Sequence, residues 1–179
     1  MELIWGIIIV LSLLVIYIII SKVISIYRDK EITNELNKIA IDHGYSLNKV
    51  KNKNYNYLME NDNYIIYIKL IVIPPNSSVT INAKDTWCLR WGGKRQGRNY
   101  PNMRYLKELI SFLNCDFKSS KDTIKLVLLY PTTEVILKYL NESEIATVTP
   151  KTVNYGIKAF KYDELKDNFD YLFITKERK

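Results

Sequence analysis

The chain has 179 residues, 47% of them hydrophobic and 25% charged, with a formal net charge of +7. That length accommodates one membrane segment and one ordinary globular domain, and excludes a second core. The positive balance argues for an acidic partner without saying which one.

The run "LIWGIIIVLSLLVIYIII", Leu3 to Ile20, carries no charge. As a helix it extends about 27 Å at roughly 1.5 Å per residue, close to the hydrocarbon thickness of a bilayer. A cleaved signal peptide has a basic start, a shorter apolar core and small residues at its cleavage site. Here Glu2 precedes the run and bulky Val23, Ile24 and Ile26 follow it. The expectation is an uncleaved anchor over residues 1–27, followed by a domain over 31–179. Lys22, Arg28 and Lys30 lie just after the span and no Lys or Arg lies before it. Positive-inside counting therefore predicts a single-pass protein of the cell membrane with its C-terminal domain in the cytoplasm.

"EITNELNKIAIDHG" places Ile32, Leu36, Ile39 and Ala40 on one helical face, with Gly44 as the stop. "NYNYLMENDNYIIYIKLIVIPP" is two β-rich runs around Asn61, Asp62 and Asn63, a hairpin closed by Pro74 and Pro75. "TWCLRW" alternates as a third strand, and "NMRYLKELISFLN" has the apolar spacing of a helix. "IKLVLLYP" is an unbroken apolar run, the pattern of a strand covered on both faces after a crossover. A shorter strand, "IATVTP", comes next, and the tail "KYDELKDNFDYLFITKERK" reads as a polar helix with a basic end. This order predicts an α/β domain with a mixed sheet. Cys88 and Cys115 lack metal-ligand spacing and fit unpaired thiols in a reducing compartment, and the lone His43 offers no partner for cysteine chemistry.

Two places carry chemistry. Lys69 stands in the apolar strand "NYIIYIKLIVIPP" with no carboxylate beside it. Such a lysine is either a snorkelling side chain at a sheet rim or the remainder of a site. The second place is "RWGGKRQGRNYPNMRYLK": between Asp85 and Glu108 come Arg90, Lys94, Arg95, Arg98, Arg104 and Lys107, and no acid. Arginine forks with glycines and flanking aromatics suit a phosphate-contacting loop for DNA or RNA. A solvated basic loop near anionic lipid has the same composition, and both readings stand. It is not a phosphate-binding P-loop, since "GGKRQG" lacks that spacing and no Ser or Thr follows the lysine.

From Glu31 to Pro150, the order of apolar strand, Trp-bearing strand, basic Gly segment, Asn and Pro, then helix resembles the nuclease-related domain (NERD) family. That family is a branch of the PD-(D/E)xK restriction-endonuclease-like fold. The resemblance implies one central mixed sheet flanked by helices. It also implies a site in which two strand acids hold a divalent metal and a lysine positions or activates the attacking water. Lys69 takes the lysine position, Tyr67 the position of the second acid, and Asn54 falls near the first. Glu35 matches the acid that begins the family's first helix, and Arg104 and Glu108 fall near its helical Gln and His. With both metal-binding acids replaced, the resemblance implies a catalytically degenerate domain with no metal or other cofactor. It would bind nucleic acid through Arg90, Lys94, Arg95, Arg98 and Arg104, or a protein partner, at the cytoplasmic membrane face. Lys69 and Glu35 are what remains of the site. The alternative is an active Mg²⁺-dependent DNA or RNA endonuclease whose acids come from elsewhere in the chain.

Overall fold

The structure, a computed structural model, describes residues 2–51, 54–91, 104–141 and 144–174. The chain divides into two compact units, Met1–His43 and Gly44–Lys179.

The first unit is one helix, α1 (Glu2–Asp42). The two helices expected here are continuous because no Gly or Pro interrupts the chain from Ser21 to Asp42. At about 1.5 Å per residue its length is roughly 60 Å, twice a bilayer's hydrocarbon thickness. It is long and apolar enough to cross a membrane. Side chains such as Leu11, Leu14, Ile19 and Ile24 are exposed around it, as suits a helix whose surroundings are lipid rather than protein. In the last turns the periodicity becomes one-sided, and Ile32, Leu36, Ile39 and Ala40 are buried as expected. The helix stops where Gly44 takes φ 75°. The His43 N–H turns back onto the Ile39 and Ala40 carbonyls at 3.2 and 3.3 Å, a left-handed C-terminal cap.

In the second unit the described strands are β1 (Ser46–Lys49), β2 (Tyr57–Glu60), β3 (Tyr64–Val72), β4 (Ser77–Ala83), β5 (Thr86–Trp91), β6 (Arg104–Tyr105), β7 (Asp122–Tyr130), β8 (Ile136–Tyr139), β9 (Ile145–Thr147) and β10 (Ile157–Lys161). A short helix, α2 (Ile110–Asn114), precedes β7. They form two five-stranded sheets, ordered β1-β2-β3-β7-β10 and β6-β5-β4-β8-β9. In the first, β1, β2 and β3 run antiparallel, while β3, β7 and β10 are parallel. In the second, only the β4 and β8 pair is parallel. The mixed α/β character holds, but the expected single central sheet flanked by helices is two mixed sheets. Ile71 and Val127 of the first sheet share one buried cluster with Ile81, Trp87 and Ile136 of the second and Phe112 of α2.

The hairpin of β2 and β3 turns at the expected residues. The Asn61 side-chain oxygen accepts the Asn63 and Tyr64 N–H groups at 3.0 and 2.8 Å, so the turn is held by an Asn side chain rather than by glycine. One expected helix is shortened and another gives way to 3-10 turns. Arg104 and Tyr105 pair with β5 as β6, and helical structure begins only at Lys107. In the tail, 3-10 turns at Tyr162–Glu164 and Phe169–Phe173 replace the helix expected from Lys161, with residues 175–179 outside the described set. There the Asn168 amide donates to the Glu164 carbonyl at 2.8 Å, satisfying by side chain an acceptor that a continuing helix would use. Phe169 and Phe173 instead turn inward onto Tyr45, with ring centroids 5.5 and 6.4 Å away.

Candidate functional site

β3 is the middle strand of its sheet, so Lys69 has a neighbouring strand on each side. Alternation sends Tyr67, Lys69 and Ile71 to the face that meets the second sheet, in register with Lys125, Val127 and Leu129 of β7. Lys69 is only 7% exposed, so it is not a rim lysine. Burial lowers the pKa of its amine, and the Glu108 carboxylate, from the turn before α2, opposes that shift. Glu108 also accepts a hydrogen bond from the Arg104 guanidinium at 2.6 Å. A carboxylate thus acts on Lys69, but it comes from the helix and not from the strand.

The direction in which a strand acid would point is occupied by aromatic rings. Tyr67 stacks on Phe117 with centroids 3.9 Å apart and planes at 10°. Tyr55 meets both rings edge-on, at 5.1 and 5.5 Å. Burial first, then the neighbouring Tyr55, Glu60 and Cys115, pushes the Tyr67 phenol's pKa up. It stays protonated near neutrality and is no base. Asn54, next to Tyr55 in the chain, directs its amide at the Cys115 sulfur at 3.9 Å. The fold therefore brings Asn54 and Tyr67 to neighbouring positions around Cys115, with Lys69 beside Tyr67 on the same face.

Lys125 completes this cluster. Its ammonium donates to the Leu113 and Cys115 carbonyls at 2.8 and 2.9 Å. It also lies over the Phe112 and Phe117 rings, 5.3 and 5.7 Å from their centroids. Burial, then Lys84, lowers its pKa, with Cys115 and Asp116 opposing. Two ammonium groups, a protonated phenol, an amide and a thiol do not fit Mg²⁺, which requires several oxygen ligands including carboxylates. Among the described residues there is no group of three or more His, Cys, Asp or Glu side chains placed to hold a metal ion.

Glu35 is exposed on α1, in the first compact unit, whereas Lys69 belongs to the second. Arg90 is buried in β5, with its guanidinium donating to the Tyr139 hydroxyl at 2.8 Å. Arg104 is exposed and ion-paired to Glu108. Lys94, Arg95 and Arg98 lie outside the described residues. Sequence reasoning missed Lys125 and Phe117 and read Cys115 only as an unpaired thiol, whereas the resemblance had already placed Glu108 near the family's helical His. Lys125 had a visible signal: "IKLVLL" repeats the setting of Lys69 in "IKLIVI", one lysine in an apolar strand. Nothing local marks Cys115 or Phe117 as its neighbours. Compared with protein-family models, with curated proteins and with solved structures, the chain matches none.

Proposed function

We propose that this chain is a membrane-anchored, catalytically degenerate nuclease-like domain that holds DNA or RNA at the cytoplasmic membrane face without cleaving it. The observation that carries the reading is the surroundings of Lys69. The position implied for a metal-binding acid is Tyr67, and its ring is locked against Phe117 and Tyr55. The apolar α1 supports the anchor, and Lys94, Arg95 and Arg98 of the basic segment support an anionic partner. A second reading, an active enzyme with relocated acids, has Glu108 in its favour, since that carboxylate acts on Lys69. It is a single carboxylate, already shared with Arg104.

The test uses the full chain in detergent micelles. Plasmid DNA incubated with Mg²⁺ or Mn²⁺ is expected to stay intact, and single-stranded DNA to bind with a steep salt dependence. Replacing Lys94, Arg95 and Arg98 by Ala is expected to flatten the log K against log salt slope by about 0.7 for each lost phosphate contact. Mg²⁺-dependent cleavage abolished by Lys69→Ala would promote the active enzyme. An unchanged slope and affinity in the triple variant would remove the basic segment as the binding surface and leave a protein partner.

A further inference from the structure

The buried cluster takes one face of the second sheet: Val79, Ile81, Trp87, Leu89 and Ile136 all belong to it. Their neighbours in sequence point to the opposite face, where polar residues are covered alongside the apolar Cys88 and Leu137. Ser78, Thr80 and Arg90 there are 4%, 0% and 6% exposed. Arg90 stands opposite Ser78 on β4, whereas Tyr139 follows Lys138, the partner of Ile81, and so lies level with Asn82. The 2.8 Å bond from the Arg90 guanidinium to the Tyr139 hydroxyl therefore crosses β4 diagonally above Thr80.

A guanidinium keeps its charge at any pH a folded protein tolerates. Burying one without a counter-charge is costly enough that native structures supply a partner. Among the described residues Arg90 has no ion pair, and its Nε–H has no acceptor. The Thr80 hydroxyl beneath it is likewise without a partner. Tyr139 accepts from Arg90, whose guanidinium lies 5.6 Å from the Tyr139 ring centroid. Its own proton is left to donate, and an adjacent cation strengthens that donor. Tyr139 also lines an open cleft of about 410 Å³ together with Asn82, Leu140, Asn141 and Tyr155. That volume lies in the range of small-molecule sites. Tyr155 holds a left-handed backbone, φ 55°, in the two-residue turn closed by Asn154 and Ile157. A non-glycine residue held in that region is often one the local structure uses.

We infer that this outer face of the second sheet is a binding site for a small organic anion. Its carboxylate or phosphate head accepts from the Tyr139 hydroxyl, so that its charge offsets the Arg90 guanidinium bonded behind that hydroxyl, and its body lies in the cleft against Asn82 and Tyr155. The Glu144 carboxylate, held by the Asn141 amide at 2.9 Å, puts negative charge at the cleft's edge. That favours a ligand with one anionic head over a polyanion. Arg90 is thereby separated from the nucleic-acid reading, and the site does not depend on that reading.

The test reads Arg90 directly. The full chain, labelled with ¹⁵N-arginine in nonionic micelles, shows the Arg90 Nε–Hε resonance as the signal missing from Arg90→Lys. Inorganic phosphate, AMP and benzoate are titrated in turn at constant ionic strength set by chloride. At least one is expected to shift that resonance saturably, with half-saturation at about 1 mM or tighter. Tyr139→Phe is expected to weaken the effect about tenfold or more. Asn82→Leu, at the exposed lip, keeps the signal and the fold and should weaken AMP or benzoate more than phosphate. The proposal is overturned if no probe gives a saturable shift, if chloride reproduces it, or if Tyr139→Phe leaves it unchanged. Single-stranded DNA binding through Lys94, Arg95 and Arg98 should be untouched by Tyr139→Phe, so either reading can fail alone.

Discussion

Replacing Lys158 by Met is expected to stabilise the protein at neutral pH and to lose that advantage in base. Lys158 lies on β10 between Ile157 and Ala159, both in the cluster between the sheets, so its side chain leaves on the opposite face. It is 3% exposed, and its ammonium donates to the Pro150 carbonyl at 3.3 Å. Burial lowers its pKa from 10.5 to about 8. At about 1.4 kcal/mol per pH unit, keeping the charged form inside costs the folded state about 3 kcal/mol. The folded pKa is the lower one, so below pH 8 both states are protonated and the full penalty is present. Between about 8 and 10.5 the folded state sheds its proton and the penalty fades. Methionine keeps the stem's packing and removes the charge, while losing a hydrogen bond worth about 1 kcal/mol. The net gain at pH 7 is about 2 kcal/mol, or roughly 5–10 °C in Tm for a domain of this size. Thermal unfolding followed by tryptophan fluorescence, where Trp87 reports the core, measures both proteins from pH 7 to 10.5. The gap should close as pH rises. A variant less stable at pH 7, or a gap constant across the range, would refute the reasoning.

Burial lowers the Lys125 pKa as it does that of Lys158, but Lys125→Met is expected to act in the opposite sense. Its ammonium makes two short bonds, 2.8 and 2.9 Å, to the Leu113 and Cys115 carbonyls at the end of α2, and both acceptors would lose their partner. Charge-assisted bonds worth about 2–3 kcal/mol together, less the burial penalty on the charge, leave a net loss of about 1 kcal/mol, read as a fall in Tm at pH 7, and an unchanged or raised Tm would show that the contacts do not outweigh that penalty. The cytoplasmic placement of the domain, proposed from Lys22, Arg28 and Lys30, predicts that protease added outside intact cells leaves residues 44–179 whole. Their digestion under those conditions would reverse the orientation.

The comparison of Lys69 and Arg90 shows where sequence reading reaches and where it stops. For Lys69 the alternation of "NYIIYIKLIVIPP" placed the residue on a strand and put Tyr67 on the same face, because side-chain direction along a strand has a period of two and needs no other information. What surrounds that face was not legible. Phe117 and Cys115 come from a loop some fifty residues away, and Glu108 sits in a segment whose periodicity predicted a longer helix. For Arg90 the local pattern was equally clear and its consequence reversed. "TWCLRW" alternates whether its second face meets water or is covered, and a basic neighbourhood made water the natural expectation. The residue that takes its guanidinium, Tyr139, lies 49 positions along the chain.

The sequence alone determined the apolar span, the one-sided turns from Ile32 to Ala40 with their stop at Gly44, the β2 and β3 hairpin, and the buried character of β7. Each rests on interactions within a few residues: helical or strand periodicity, a left-handed glycine, an Asn side chain bonding its own turn. The tertiary structure decided that β3 pairs with β7 across the crossover, that β4 to β6 join β8 and β9 in a separate sheet, and therefore which lysines and arginines are inside. Strand pairing is set by which faces bury together once distant segments meet, and that is a property of the whole surface rather than of any window of the chain.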